Sequence, residues 1–297
     1  MKIFCGFVVL LLAVVLPTYA QTGDDHVISV DTSIVVLNAS ITDATGKTVG
    51  GLDRKLFRIY EDGVEQKIES FEAEETPFAA VILLDTSGSM ENRVSLARSA
   101  TIQFLEKLRT RDNAAIFNFN SKVEMVQDFS NSRNMREQVF DLKADGMTAL
   151  NDAIYKAAEI LSKRPEKRRA IVVLSDGADT FSKASDGKVL KAALAVNATI
   201  YSVDMSSPAL KPNERTQNRS ALTNFAEKTG GKYITTPGGL AMRDAFTKIV
   251  EELGTQYTLA YQPSNTKKDG KWHSIELRVS KPNLTIRTRK GYNAPKR

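Results

Sequence analysis

Residues 81–84, Val-Ile-Leu-Leu, make a short, continuous apolar run with β-branched side chains at its start. A strand of this composition has no polar face to offer water. It must be covered on both sides, as the strands of a parallel sheet are by helices. The run leads straight into Asp85-Thr86-Ser87-Gly88-Ser89-Met90. Asp85, Ser87 and Ser89 thereby crowd three small oxygen-bearing side chains into one turn, with Gly88 leaving room for a tight backbone. Oxygen donors of this size suit a hard divalent cation, Mg²⁺ above all, which keeps several waters and accepts few carboxylates. The same residues also suit an N-cap turn, because Asp and Ser favour that position after any strand.

Two further segments bear on that choice. Residues 170–174 are a second apolar run and end in Ser175-Asp176-Gly177-Ala178-Asp179-Thr180. Between the two runs, Asp145-Gly146-Met147-Thr148 precedes a helical pattern with Leu150, Ile154, Ala157 and Leu161 on one face. In a parallel sheet such strand ends, and the loop before a helix, converge on one edge where ligands bind. Taken together these segments resemble a von Willebrand factor type A domain with a complete metal-ion-dependent adhesion site. The resemblance maps the first motif onto Asp85, Ser87 and Ser89, the threonine onto Thr148 and the second aspartate onto Asp176. It implies that the two serines and the threonine ligate the ion directly while the aspartates act through water. It also implies a sixth position left for an acidic group of a partner. Mg²⁺ is the expected ion, with Mn²⁺ or Ca²⁺ as alternatives. The five oxygens are expected to bind it without being needed for the fold. Asp152 and Asp179, close by in sequence, read as hydrogen-bond partners of the site or as ordinary caps.

From residue 77 to about 254, strands alternate with helices. Helical spacing occurs at 101–108, 150–161, 188–195, 221–228 and 242–253, and strand patterns at 79–84, 114–119, 123–129, 170–174, 199–203 and 232–235. The expected fold is α/β: a doubly wound, mostly parallel six-stranded sheet flanked by helices. Asn120-Ser121-Lys122 is too short for a crossover, so the third strand should run antiparallel at an edge. Residues 208–218 are polar and read as a mobile loop.

The two flanks are different. Residues 26–76 and 255–293 alternate apolar and polar positions, and Asp62-Gly63 marks a hairpin between 57–61 and 64–71. Neither flank is comfortably large enough to fold alone. The economical arrangement is one small antiparallel sandwich built from both ends, with the domain of residues 77–254 inserted between. The stretch from Leu52 to Val64 and the closing Arg289-Lys290-Gly291-Tyr292 resemble exported bacterial von Willebrand factor A-related proteins. Trp272, on an alternating strand, reads as core or strand-pair packing. The sandwich is expected at the pole opposite the metal, since the first strand begins and the last helix ends there.

Residues 1–20 combine Lys2, an apolar stretch over 3–16 and the small-residue site Thr18-Tyr19-Ala20, which fits a secretory signal peptide. The sole cysteine, Cys5, lies inside it and too early for lipid attachment. An exported chain without disulfides must be held by its core, which excludes the small stapled-domain class. The net charge of +6 is spread along the chain without a dense basic run, so a nucleic-acid partner is not indicated. No later segment approaches a membrane-spanning length. The only histidines, His26 and His273, lie in the flanks, away from the Asp/Ser cluster, and no phosphate-binding glycine loop occurs. The sequence therefore points to a non-enzymatic, exported protein-binding module whose cation bridges to an Asp or Glu carboxylate of a protein or peptide partner. A structural or assembly component of the cell envelope, with the ion only stabilising loops, is the alternative, and a metallohydrolase the third reading.

Overall fold

The computed structural model describes residues 34–73, 76–206, 212–235 and 239–296. The signal-peptide reading and His26 fall outside them. Four strands come first: β1 (Val35–Thr42), β2 (Phe57–Glu61), β3 (Val64–Gln66) and β4 (Ile68–Glu72). An alternation follows, through β5 (Phe78–Asp85), α1 (Val94–Glu106), β6 (Asn113–Phe119), β7 (Val123–Ser130), α2 (Leu150–Ser162) and β8 (Arg168–Ser175). It continues with α3 (Asp186–Ala195), β9 (Ala198–Asp204), α4 (Pro212–Thr229), β10 (Tyr233–Thr235) and α5 (Gly239–Thr255). The last four strands are β11 (Tyr257–Tyr261), β12 (Trp272–Val279), β13 (Thr285–Arg287) and β14 (Gly291–Asn293).

The middle strands form a six-stranded sheet in the order β10-β9-β8-β5-β6-β7. All neighbours are parallel except β7, which pairs antiparallel with β6 at one edge, as the short Asn120-Ser121-Lys122 connection requires. Every residue of β5 is buried. Its alternation divides them between two cores. Phe78, Ala80, Ile82 and Leu84 face α1 and α5, packing among Ala97, Phe104, Phe246 and Leu253. Ala79, Val81 and Leu83 face α2, α3 and α4, among Ile154, Leu161, Val189 and Phe225. This is a doubly wound α/β sheet.

Three helices run well beyond the sequence pattern, among them α5, which spans Gly239–Thr255 against an expected 242–253. α1 begins at Val94 and ends at Glu106, against an expected 101–108. Its first turns bury only Val94 and the small Ala97 and Ala100, which carry little periodic signal. α4 begins at Pro212, so 212–218 is helix and not loop; residues 207–211 lie outside the described segments. Proline suits a first helical position, where its missing N–H would go unused. The polar composition there belongs to a solvated helix face.

The flanking strands build two four-stranded antiparallel sheets, β13-β1-β11-β4 and β14-β12-β2-β3. Their facing side chains, among them Leu37, Phe57, Ile59, Tyr257, Leu259, Tyr261 and Leu277, make a third core. Each sheet draws two strands from each end of the chain. Trp272 is 42% exposed and packs against its strand neighbour, so it is not a core residue. A Cβ at Gly291 would lie 2.4 Å from its ring.

Contacts between sandwich and central sheet gather at the N-terminal ends of the parallel strands. Arg168, the first residue of β8, is fully buried. It donates to Thr258 Oγ1 (3.0 Å) and to the carbonyls of Gly254 (3.1 Å) and Thr76 (3.3 Å). Burial pulls its guanidinium down to about 10, with the charge of Arg109 adding, so it stays cationic at neutral pH. Beside it, Glu252 of α5 accepts from Ser40 (2.8 Å) and Tyr201 (2.6 Å) and pairs with Arg287. The far end of β8 is seven residues from Arg168, roughly 23 Å at the usual strand rise. Hydrogen bonds to a charged donor contribute about 1.5–3 kcal/mol each. Arg168→Ala is therefore expected to lower the unfolding free energy by about 3 kcal/mol or more in urea melts. Arg168→Lys should not restore it, because one ammonium cannot reproduce the fork. A loss below about 1 kcal/mol would show that the clasp is not what joins the layers.

Candidate metal centre

At the C-terminal edge of the central sheet three loops are stitched together by backbone and side-chain hydrogen bonds. The loop after β5 receives the Asp145 N–H at the Thr86 carbonyl (2.8 Å), and Gly88 N–H donates to the Gly146 carbonyl (3.1 Å). Thr148 N–H donates to Thr180 Oγ1 (3.0 Å), and its carbonyl accepts from Thr180 and Phe181 N–H (2.9 Å each). The loops carrying Asp85, Ser87 and Ser89, Thr148, and Asp176 are thus held as one unit.

Within it, Asp85 ends β5 with its carboxylate buried. One oxygen accepts from Ser87 N–H (2.9 Å) and Ser87 Oγ (2.6 Å), the other from Ser175 Oγ (2.5 Å). Ser87 Oγ lies 3.1 Å from Ser89 Oγ. Asp176 is 2% exposed and accepts from Ala178 N–H (3.0 Å). The N-cap reading of this turn does not hold. The turn after β5 is a single 3₁₀ turn, Gly88–Met90, whose cap residue Ser87 makes no side-chain capping bond, and α1 begins only at Val94.

Burial pushes the Asp85 carboxyl up to about 6 against the opposing hydrogen bonds from Ser175 and Ser87, and the negative charge of Asp176 raises it further. Among the described residues, neither Asp85 nor Asp176 is paired with a lysine or arginine. Two buried carboxylates beside clustered hydroxyls, without a compensating side-chain cation, are a donor set that fits a hard divalent ion.

Three features escape a reading of the sequence. Ser175 touches Asp85 directly and also accepts from Gly177 N–H (3.0 Å), yet sequence alone presents it as the last residue of a strand. Thr180 and Ser121 position the Thr148 loop, Ser121 by accepting from Met147 N–H (3.0 Å). Asp85 also has three donors converging on it. Asp152 caps the 180–184 loop, accepting from Lys183 and Ala184 N–H (3.1 and 2.8 Å), and Asp179 accepts from Ser182 N–H (3.4 Å). Both are loop caps.

A model of the von Willebrand factor type A domain matches residues 80–178, the span that holds all five candidate residues. The fold is von Willebrand factor type A-like. The von Willebrand factor domain of the type V pili tip protein Mfa5 from Porphyromonas gingivalis superposes with a TM-score of 0.50 at 12% identity, over 61% of this chain and 95% of that one. The PilB minor pilin from Streptococcus sanguinis aligns with a TM-score of 0.48 at 16% identity, over 62% of each chain. BatB from Bacteroides thetaiotaomicron aligns with a TM-score of 0.48 at 14% identity, over 59% of this chain and 98% of that one. The chain thus spans about three fifths of the pilin it resembles. No curated protein matches the chain.

Gly177 shows how tightly the second aspartate loop is seated. Its φ is +81°, and a Cβ there would lie 2.6 Å from the Asn218 carbonyl oxygen and 2.9 Å from Leu222, both on α4. The left-handed conformation alone costs a non-glycine residue about 1–2 kcal/mol. Gly177→Ala should therefore lose at least that much in thermal or urea unfolding. A neutral result would mean that α4 does not pin this loop.

Proposed function

We propose that this chain is an exported protein-binding module. In this reading Asp85, Ser87, Ser89, Thr148 and Asp176 hold a divalent cation, Mg²⁺ in the first place, that bridges to a carboxylate of a protein or peptide partner. The metal face belongs to a domain of residues 77–254, inserted between the halves of a sandwich at 26–76 and 255–293, after a cleaved signal at 1–20. The observation that carries the reading is the pair of buried, uncompensated carboxylates set against the Ser87 and Ser89 hydroxyls. The cation would supply positive charge that both this pair and an incoming carboxylate lack.

The surroundings favour a large partner. Gly88 and Ser89 are exposed, and Met147 and Phe181, at 48% and 49% exposure, stand on the loops that carry and hold Thr148. A macromolecular ligand would cover such apolar side chains. The alternative, an envelope component whose ion merely staples the loops, is less well supported. The loops are already joined by Gly88–Gly146, Thr86–Asp145 and Thr148–Thr180 hydrogen bonds that need no ion. A hydrolase has little to draw on. His273, the one histidine among the described residues, stands in the sandwich and not on the loops that carry Asp85, Thr148 and Asp176. Among the described residues no helix is long and apolar enough to cross a membrane.

Metal-dependent melting tests the reading. A bound ion adds roughly 2.7 kcal/mol at a hundredfold excess over Kd. Melting temperature should rise in Mg²⁺ or Mn²⁺ relative to EDTA. Asp85→Asn, which keeps the volume of the buried side chain, should abolish the rise, and Thr148→Ala should reduce it. A wild-type curve indifferent to every divalent cation would sink the proposal. If the rise is present but an acidic peptide neither binds nor competes, the staple alternative gains.

The response to pH follows from Asp85. Its folded-state pKa is raised, so without metal its contribution to stability is fully present below the unfolded value and is lost as pH rises through about 6. Protons and cation compete for the same oxygens. The metal-induced rise should therefore be small at pH 5, grow through 6 and level off above 7. A rise independent of pH over this range would place the ion elsewhere.

A further inference from the structure

A cluster of two carboxylates and an imidazole lies in the sandwich, drawn from segments more than two hundred residues apart in sequence. β2 ends in Glu61, and Asp62 and Gly63 take left-handed φ values of +48° and +82°, the turn that a two-residue hairpin prefers. This turn swings Asp62 back onto β12. One of its carboxylate oxygens accepts from Ser274 N–H (2.8 Å) and Ser274 Oγ (3.0 Å), and the other lies 2.8 Å from His273 Nδ1. Glu61 is 2% exposed. Its Oε2 accepts from the phenols of Tyr261 (2.6 Å) and Tyr292 (3.2 Å). Those two bonds aim Oε1 at His273 Nδ1, 3.4 Å away. That oxygen has no hydrogen-bond partner. The imidazole is buried as well, stacked on Tyr292 with ring centres 5.5 Å apart.

An ion pair alone explains this cluster poorly. His273 Nδ1 carries at most one proton, and at 2.8 Å it belongs to Asp62. A buried carboxylate oxygen on Glu61 is then left unsatisfied, which is costly. A cation among the three groups removes that cost. The donor atoms of Glu61, Asp62 and His273 lie within 4.8 Å of one another. Their separations of 2.8 and 3.4 Å match the edges of a coordination shell with bonds of about 2.1 Å.

We propose that Glu61 Oε1, Asp62 Oδ2 and His273 Nδ1 form a site for a borderline divalent ion of the Zn²⁺ class, distinct from the oxygen-only site at Asp85. One imidazole and two carboxylates select such an ion over Mg²⁺, which prefers oxygen and water. The side chain of Asp62 is 46% exposed, so one side of the site stays open to water or a fourth ligand. Ser274 and the two tyrosines fix the carboxylates from outside, as supporting hydrogen bonds do around metal ligands. Bound there, the ion would tie the β2–β3 hairpin to β12, joining the two ends of the chain where a disulfide cannot, since Cys5 is the only cysteine.

The test titrates Zn²⁺ into the full mature chain by calorimetry, in Mg²⁺ excess so that the Asp85 loops are not read. Co²⁺ absorption serves as a second probe. Wild type and Asp85→Asn should bind one Zn²⁺ alike, while His273→Gln and Glu61→Gln should each lose at least tenfold in affinity, with folding checked by melts in EDTA. The ring signal of His273, one of only two histidines in the sequence, should shift in wild type on adding Zn²⁺, a readout taken on the wild-type fold. Zn²⁺ uptake unchanged in His273→Gln, a His273 signal indifferent to Zn²⁺, or no uptake beyond that blocked by Mg²⁺ would each overturn the proposal.

Discussion

The total burial of β5 is the constraint on which the rest depends. A strand with no solvent face must have helices on both sides and strands on both edges, and its neighbours β8 and β6 run parallel to it in close register. Parallel neighbours in turn need crossovers, and crossovers put every connecting loop of one kind at the same edge. The juxtaposition of Asp85, Thr148 and Asp176 is therefore a consequence of covering one apolar strand. Chemistry at this edge and attachment at the other follow from the same polarity, since Arg168 and Ser175 are the two ends of a single strand.

At the loop edge, polar groups are held under restraint before any ligand arrives. Asp85 is turned inward by three donors, and the serines are turned toward it. Burial holds the Asp85 carboxyl above its usual range, and the negative charge of Asp176 adds a smaller push in the same direction. Under the proposed function, such a region is preorganised to receive a cation with little rearrangement.

Much of this was legible in the residues. Long apolar strands declare themselves by composition, and the order Asp-x-Ser-x-Ser, threonine, Ser-Asp-Gly survives any uncertainty in helix length. What stayed hidden has physical causes. The first turns of α1 bury alanines, which carry little hydropathy contrast, and the start of α4 is polar because that face is solvated. Ser175 could not be told from an ordinary strand end, because its role depends on a hydrogen bond spanning ninety positions. His273 was visible as a residue in a flank, but its neighbours Glu61 and Asp62 are brought to it only by strand pairing between the two ends. Local periodicity is informative about burial. It is silent about which distant strands will pair.

That pairing has a consequence for how the chain comes into being. β1 has two neighbours, β11 and β13, and both are made after the whole central sheet. Within its sheet, β2 has β3 and the late-arriving β12. A chain synthesised or threaded from its N-terminus therefore emerges with unpaired β edges that nothing nearby can close. The central sheet, by contrast, has all its strands in one contiguous stretch. Completion of the sandwich waits for β11 to β14, so a product lacking those strands leaves β1 and β4 without any of their strand partners.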